Sequence, residues 1–314
     1  MSGTPHPPHA VLPARCAGVC YPADPEACLD YFRKFFDQPG AAAWEADAEA
    51  ALKPHRGIIA PHIDFRVSSK AYSHAFAPWL RRPAADLYLI LGVGHRARRE
   101  WSLDRRDYIT PLGRVPVEPS LLAEIARSCP FPLDDPSAHQ GEHSIEFPLV
   151  LLQALRRLRG IERPFSYIPV LCGGMFRDVA AGQPPGPDSP LEQLAAALRP
   201  LLNRCGSNLQ IIVSIDGCHI GPRFDHPFQV DKARLRATAA WEETLWQQVE
   251  GRNMEGFFSH LGKDGNARYF DGVGALALAL RLLGDDFHLR RTHYEQWFDS
   301  SDTSAVTFTS GILE

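Results

Sequence analysis

No run of apolar residues in the 314-residue chain approaches the roughly 20 needed to span a bilayer as a helix. An integral helical membrane protein is therefore not expected. The seven cysteines are odd in number and contain no CxxC pair, which excludes a disulfide framework and a cysteine-rich zinc module. There is no GxGxxG fingerprint and no P-loop lysine, so nicotinamide and nucleoside triphosphate chemistry have no support. A GxSxG elbow and the HExxH of zinc proteases are also missing. With a formal net charge of −4, the chain has no excess of either sign to attract nucleic acid or an anionic membrane. The first stretch, MSGTPHPPHAVLPARC, is rich in proline and histidine and lacks the apolar core of a secretory signal. It reads as a flexible leader over residues 1–15, with one domain over 16–314, in a protein of the cytoplasm.

What is present is an ordinary globular composition, 45% hydrophobic and 22% charged, in a pattern that alternates short apolar runs with amphipathic segments. Strands are predicted at 56–60, 86–91, 165–170, 209–214 and 304–310. Helices are predicted at 26–37, 67–79, 119–127, 144–158, 189–204, 232–250 and 271–284. Several strands are continuous apolar runs rather than alternations, as expected where helices cover both faces. The fold class is therefore α/β, three layers with a central sheet that is mostly parallel or mixed. The breaker-rich AAGQPPGPDSP (180–190) reads as a surface loop between a strand and a helix.

Ligand sites in open α/β folds gather at the carboxyl ends of strands. Past the strand at 56–60 come His62 and Asp64, and past the one at 86–91 comes His95. The strand at 209–214 is followed by Asp216, Cys218 and His219. A lone histidine among 13 is more often structural, but three at equivalent positions point to a shared site, because imidazole is the commonest ligand for zinc, iron and copper. In HQGEHSIEF (139–147), His139 and His143 are four apart, although Gly141 argues against a helix there. A helix starting near Ser144 places Glu142, His143 and Glu146 at its N-terminus, where carboxylates are favoured. Arg96, Arg98, Arg99, Arg105 and Arg106 are interspersed with acidic residues and read as a solvated loop.

Taken in order, these segments resemble the Memo family, known in bacteria and archaea as AmmeMemoRadiSam system protein B. The resemblance is carried by AGVCYPADPEACLDYF (17–32), IIAPHIDF (58–65), LILGVGH (89–95), GEHSIEFPLVLL (141–152) and YIPVLCG (167–173). It continues through VSIDGCHIGPRFD (213–225), DGVGALALAL (271–280) and DTSAVTFTSGIL (302–313). It implies a fold like that of the class III extradiol dioxygenases, which are non-haem iron enzymes that open catechol rings. By the same resemblance His62 and His95 match the two histidine ligands, and Asp216 and His219 match a loop pair in which His219 is the acid/base. His143 lines the same pocket.

The chain departs from the family at the third ligand. Animal members place a cysteine there and the dioxygenases a glutamate, whereas alignment on GVGALALAL puts Arg268 at that position. Arginine cannot ligate a metal. Two outcomes follow. Asp271, three residues on, completes a two-histidine, one-carboxylate set suited to Fe(II), with Glu142 and Cys218 also lining the pocket. Alternatively, Arg268 fills the space and leaves a metal-free pocket for an anionic small molecule or peptide. The first outcome implies an iron or copper protein with redox or dioxygenase-like chemistry, the second a binding or adaptor protein. The family name further implies an AMMECR1-like protein and a radical SAM enzyme as partners.

Overall fold

The structure, a computed structural model, describes residues 10–38, 55–80, 85–284 and 288–314. The first half of the chain forms β1 (Val11–Pro13), α1 (Pro25–Asp37), β2 (Gly57–Ala60), α2 (Ser69–Phe76), β3 (Leu87–Val93), β4 (Trp101–Leu103), β5 (Asp107–Thr110), β6 (Gly113–Val115), α3 (Pro119–Ser128) and α4 (His143–Leu158). The second half forms β7 (Ser166–Cys172), α5 (Phe176–Ala181), α6 (Pro190–Cys205), β8 (Leu209–Ser214), β9 (His219–Ile220), α7 (Lys232–Glu250), α8 (Met254–Gly262), α9 (Val273–Leu283), β10 (Leu289–Asp299) and β11 (Ser304–Leu313).

The main sheet has the order β10-β11-β2-β8-β3-β7-β4, with β9 added against β11. Its centre, β2-β8-β3-β7, is parallel, and the flanking pairs β10–β11, β11–β2 and β4–β7 are antiparallel. Every residue of the four central strands is buried, which is why their sequences are dominated by apolar residues. Helices α4 and α9 both pack on β3 and β8, α2 covers β2, β10 and β11, and α6 lies outside α9. The three-layer α/β arrangement with a mixed sheet thus follows from strands that need cover on both sides. A smaller sheet, β1-β5-β6, stands apart from it.

Local chemistry sets the entry of the helices that matter for the site. Asp24 caps α1 by accepting from Ala27 N at 2.9 Å, and Pro25 supplies the first helical residue. Glu142 caps α4, accepting from Ser144 N at 3.1 Å. Ser144 Oγ then reaches across to β3, donating to Val93 O and accepting from Val93 N at 3.0 and 3.1 Å. This close approach needs Gly92, because a Cβ there would lie 2.6 Å from Ser144 Oγ. Beneath the same region Tyr21, Phe32, Phe35, Phe65, Tyr72 and Phe147 form one aromatic cluster, with Phe65 and Phe147 centroids 4.5 Å apart. Buried Glu146 ties the N-terminal segment to α4, accepting from Arg15 N, Cys16 N, Tyr21 OH and Tyr108 OH at 2.7–3.0 Å.

The structure adds α8 and the short strands β4, β5, β6 and β9 to the elements read from the sequence, and differs from that reading elsewhere too. Residues 1–9 of the expected leader lie outside the described residues, but Val11–Pro13 pairs in parallel with β5 and is anchored. The loop at 180–190 connects two helices, because FRDVAA forms the short α5. The segment LRRTHYEQWFD, β10, is an edge strand whose half-exposed side chains hide the apolar signal.

Candidate metal centre

Strands β2, β8 and β3 are parallel neighbours, so their carboxyl ends meet on one edge of the sheet. Two residues past each end stand His62, Asp216 and His95. Helix α4 opens with His143, and Asp271 lies just ahead of α9. The His62 ring centroid is 5.1 Å from those of both His95 and His143, and the latter two stack at 4.6 Å. His62 Nε2 is 3.1 Å from Asp271 Oδ2 and 3.8 Å from Asp216 Oδ2. Two sets of metal-ligand groups result, His62–His95–His143 and His62–Asp216–Asp271, each with donor atoms within 4.8 Å of one another. His62 is the member they share.

Hydrogen bonds fix the orientation of these side chains. His62 Nδ1 is 3.2 Å from Ser214 O at the end of β8, so Nδ1 carries the proton and Nε2 faces the pocket. His95 Nδ1 is held at 2.9 Å by Glu142 Oε1. Asp216 Oδ1 accepts from the His62 and Ile63 backbone N–H groups at 2.9 and 3.0 Å. Asp271 Oδ1 accepts from Asp216 N at 3.0 Å, locking the two loops together.

The electrostatics favour a cation. Burial opposes charge on His62, but Asp216 and Asp271 outweigh it and push its pKa up to about 10. Burial pushes the Asp216 carboxyl up, whereas for Asp271 burial is overcome by His62 and the value falls. Burial also works against Glu142, yet the His95 hydrogen bond wins and brings it down to about 2. His143 titrates below its ordinary value because of burial, then the neighbouring His62 and His95. Asp216 and Asp271 thus set a field of negative charge around the His62 imidazole, with the Glu142 carboxylate behind His95.

The family model for Memo-like proteins matches residues 13–311. The chain belongs to the Memo-like family. Among its relatives it is 26% identical to a MEMO1 family protein of Thermococcus kodakarensis over 302 residues, covering 95% of this chain and 97% of that one. A MEMO1 family protein of Thermotoga neapolitana is 28% identical with the same coverage, and one of Methanopyrus kandleri is 27% identical over 76% of this chain and 79% of its own.

The remaining residues expected in this Memo-like site are distributed unevenly. His219 lies at the pocket's side, half-exposed, with Nδ1 at 3.2 Å from both Gly217 O and Tyr269 O and its ring edge-on to Phe224. Glu142 is buried behind His95 and orients that ring, which is a different job from contacting a substrate. Cys218 does not line the pocket as expected. It is fully buried, its N–H donates to Thr307 Oγ1 at 2.7 Å, and its thiol bonds Glu242. Arg268 is a correction of the same kind. Its guanidinium pairs with Asp264 and lies 5.1 Å over the Trp241 ring, so the residue aligned with the usual third ligand turns away. Asp271 takes the place beside His62 instead. His139 is not on α4 with His143: it is buried in the preceding turn, 2.9 Å from Ser102 Oγ. Sequence reasoning missed one partner, the Ser214 carbonyl on His62 Nδ1, which only its place at the end of β8 signals; Glu142 was expected in the pocket lining and is found on His95 Nδ1. Among the described residues, no helix is long and apolar enough to cross a membrane.

Proposed function

We propose that the pocket binds a redox-active transition metal, iron(II) or copper, through His62, His95 and Asp271. On this reading the chain carries out a dioxygenase-like oxidation of a small enediol- or catechol-like molecule. The observation that carries the reading is His62, which belongs to both donor sets and whose Nδ1 is anchored on Ser214 O. His95 has the same arrangement, with Nδ1 on a buried carboxylate. Metal-ligating histidines characteristically donate their second nitrogen to a carboxylate or carbonyl, which fixes the tautomer and strengthens the ligand. Two imidazoles and one carboxylate suit non-haem iron(II), and a pocket rich in carboxylates favours a cation over an anion. With Arg268 engaged by Asp264, the anionic-ligand alternative loses the cation it depended on.

The chain's own residues have separable parts in such chemistry. A bound metal supplies Lewis acidity and one-electron redox capacity. Asp216 holds the His62 segment in place through two backbone N–H groups. His143, kept neutral, is a proton acceptor inside the pocket. His219 sits where solvent reaches it, with Nδ1 fixed on backbone carbonyls, and exchanges protons through Nε2. The test is metal content after anaerobic purification, followed by Fe(II) and Cu(I) titration of wild type, His62→Ala and His95→Ala. Near-stoichiometric metal in the wild type, lost in both variants, is the expected result. Equal affinity in all three proteins overturns the assignment.

A further inference from the structure

Cys16 and Cys20 stand four residues apart at the start of the domain, outside the donor sets described above. Both are free and only partly buried, unlike Cys28, Cys172 and Cys218, which are sealed in the core. The backbone between them is already closed. Cys20 N and Val19 N donate to Cys16 O at 2.8 and 3.0 Å, and Gly18 N donates to Tyr21 O at 2.7 Å. Gly18 makes this possible by taking φ 79°, a conformation that side-chain-bearing residues rarely adopt. The segment is pinned at both ends by Glu146, which holds Cys16 N and Tyr21 OH. The two thiols lie near one another, and Cys20 lies near the Asp64 carboxylate, two residues beyond His62.

We propose that Cys16 and Cys20 form a reversible disulfide, a slowly oxidised modification site beside the pocket. Loop-closure entropy is the main cost of joining two thiols, and a five-residue turn held by its own hydrogen bonds has already met it. The Cys20 N–H to Cys16 O bond at 2.8 Å closes the backbone that carries both residues. A hydroperoxide is the oxidant. The Cys20 thiolate attacks one peroxide oxygen, forming S–O and breaking O–O, and the departing hydroxide takes up the thiol proton as water. Cys16 then attacks the Cys20 sulfenic sulfur, forming S–S and releasing the second water. Two thiols lose two electrons and the peroxide gains them. Burial and the nearby Asp64 carboxylate push the Cys20 thiol up to about 11, so thiolate is scarce at neutral pH and the reaction is slow. Disulfide formation changes the Cys20 side chain beside Asp64. Asp64 lines a cavity of about 500 Å³ with Ile63, Arg66, Val67, Arg223 and Trp297, so the change is registered at the pocket's flank.

The experiment treats reduced full-length protein with hydrogen peroxide or with oxidised glutathione, then maps thiols by mass spectrometry. Cleavage after Arg15 and Arg33 releases one peptide containing Cys16, Cys20 and Cys28. The expected result is a loss of two hydrogens from that peptide, with fragmentation locating the link between Cys16 and Cys20. Dithiothreitol reverses it, and Cys28→Ser retains it. A link to Cys28 overturns the proposal. So does oxidation to sulfinic acid without a link, or a peptide left fully reduced while the guanidinium-unfolded chain oxidises.

Discussion

Glu142→Gln removes one charge from the site while keeping its shape. In the wild type the carboxylate caps α4, holds His95 Nδ1 at 2.9 Å and accepts from His95 N at 3.3 Å, all at 3% exposure. Its pKa is lowered from 4.5 to about 2, a result of the His95 hydrogen bond and charge overcoming burial. Lowering a carboxyl pKa tenfold in acidity is worth about 1.4 kcal/mol, so the ionised group contributes about 3 kcal/mol to the metal-free fold. A depressed carboxyl stabilises above its unfolded pKa, and that contribution is lost as pH falls from 4.5 through about 2. Urea unfolding of metal-free protein at pH 7 therefore shows Glu142→Gln less stable by up to about 3 kcal/mol, and the gap narrows steadily below pH 4. Glutamine also presents its N–H₂ or a weaker acceptor to His95, so the ring loses its fixed tautomer. Loss of such an outer partner typically lowers metal affinity by about 10–100-fold. The reasoning fails if the variant unfolds at the wild-type urea concentration at pH 7 and titrates with metal at wild-type affinity.

Two further changes test other parts of the structure. Arg268→Gln leaves metal affinity within about twofold of wild type, because the side chain serves Asp264 and Trp241 and not the pocket; a tenfold change in the same titration refutes this. Burial lowers the pKa of His139 from 6.5 to about 4, so the fold keeps it neutral while the unfolded chain takes up a proton below 6.5. Stability is unaffected above that value and falls by about 3 kcal/mol between pH 6.5 and 4. In His139→Gln that part of the slope disappears, and identical slopes in chemical unfolding at pH 7 and 4.5 reject the assignment.

The sequence and structure agree most closely where a residue's environment is uniform. Strands β2, β3, β7 and β8 are buried on both faces, and each writes that fact as a mostly apolar run without polar alternation. Strand β10 lies at an edge, half-exposed throughout, and its arginines, histidine and acids erase the same signal. Strands β1, β4 and β6 are three residues each, too short for any period to register. The site follows a similar logic. His62, His95 and Asp216 are legible because strand ends are legible, but their convergence depends on the order β2-β8-β3, which local pattern does not encode.

The position aligned with the family's third ligand holds Arg268, whose side chain is engaged by Asp264 and Trp241. Between Arg268 and α9 the chain does not run in a regular element. Asn266 and Tyr269 both take left-handed φ values, 57° and 48°, a conformation that costs an aromatic residue roughly 1–3 kcal/mol. Asn266 secures the turn, accepting from Phe270 N at 3.0 Å and donating to Phe270 O at 2.9 Å. The backbone from Arg268 to Asp271 runs alongside Gly217–His219, His219 N donating to Arg268 O at 2.8 Å and Asp271 N to Gly217 O at 3.3 Å. One side chain is delivered to Asp264 and Trp241, the other to His62 Nε2. An arginine at the ligand position is incompatible with a metal only if it faces the pocket. In this chain the strained turn separates the two, and the carboxylate that reaches His62 Nε2 comes from the residue just ahead of α9.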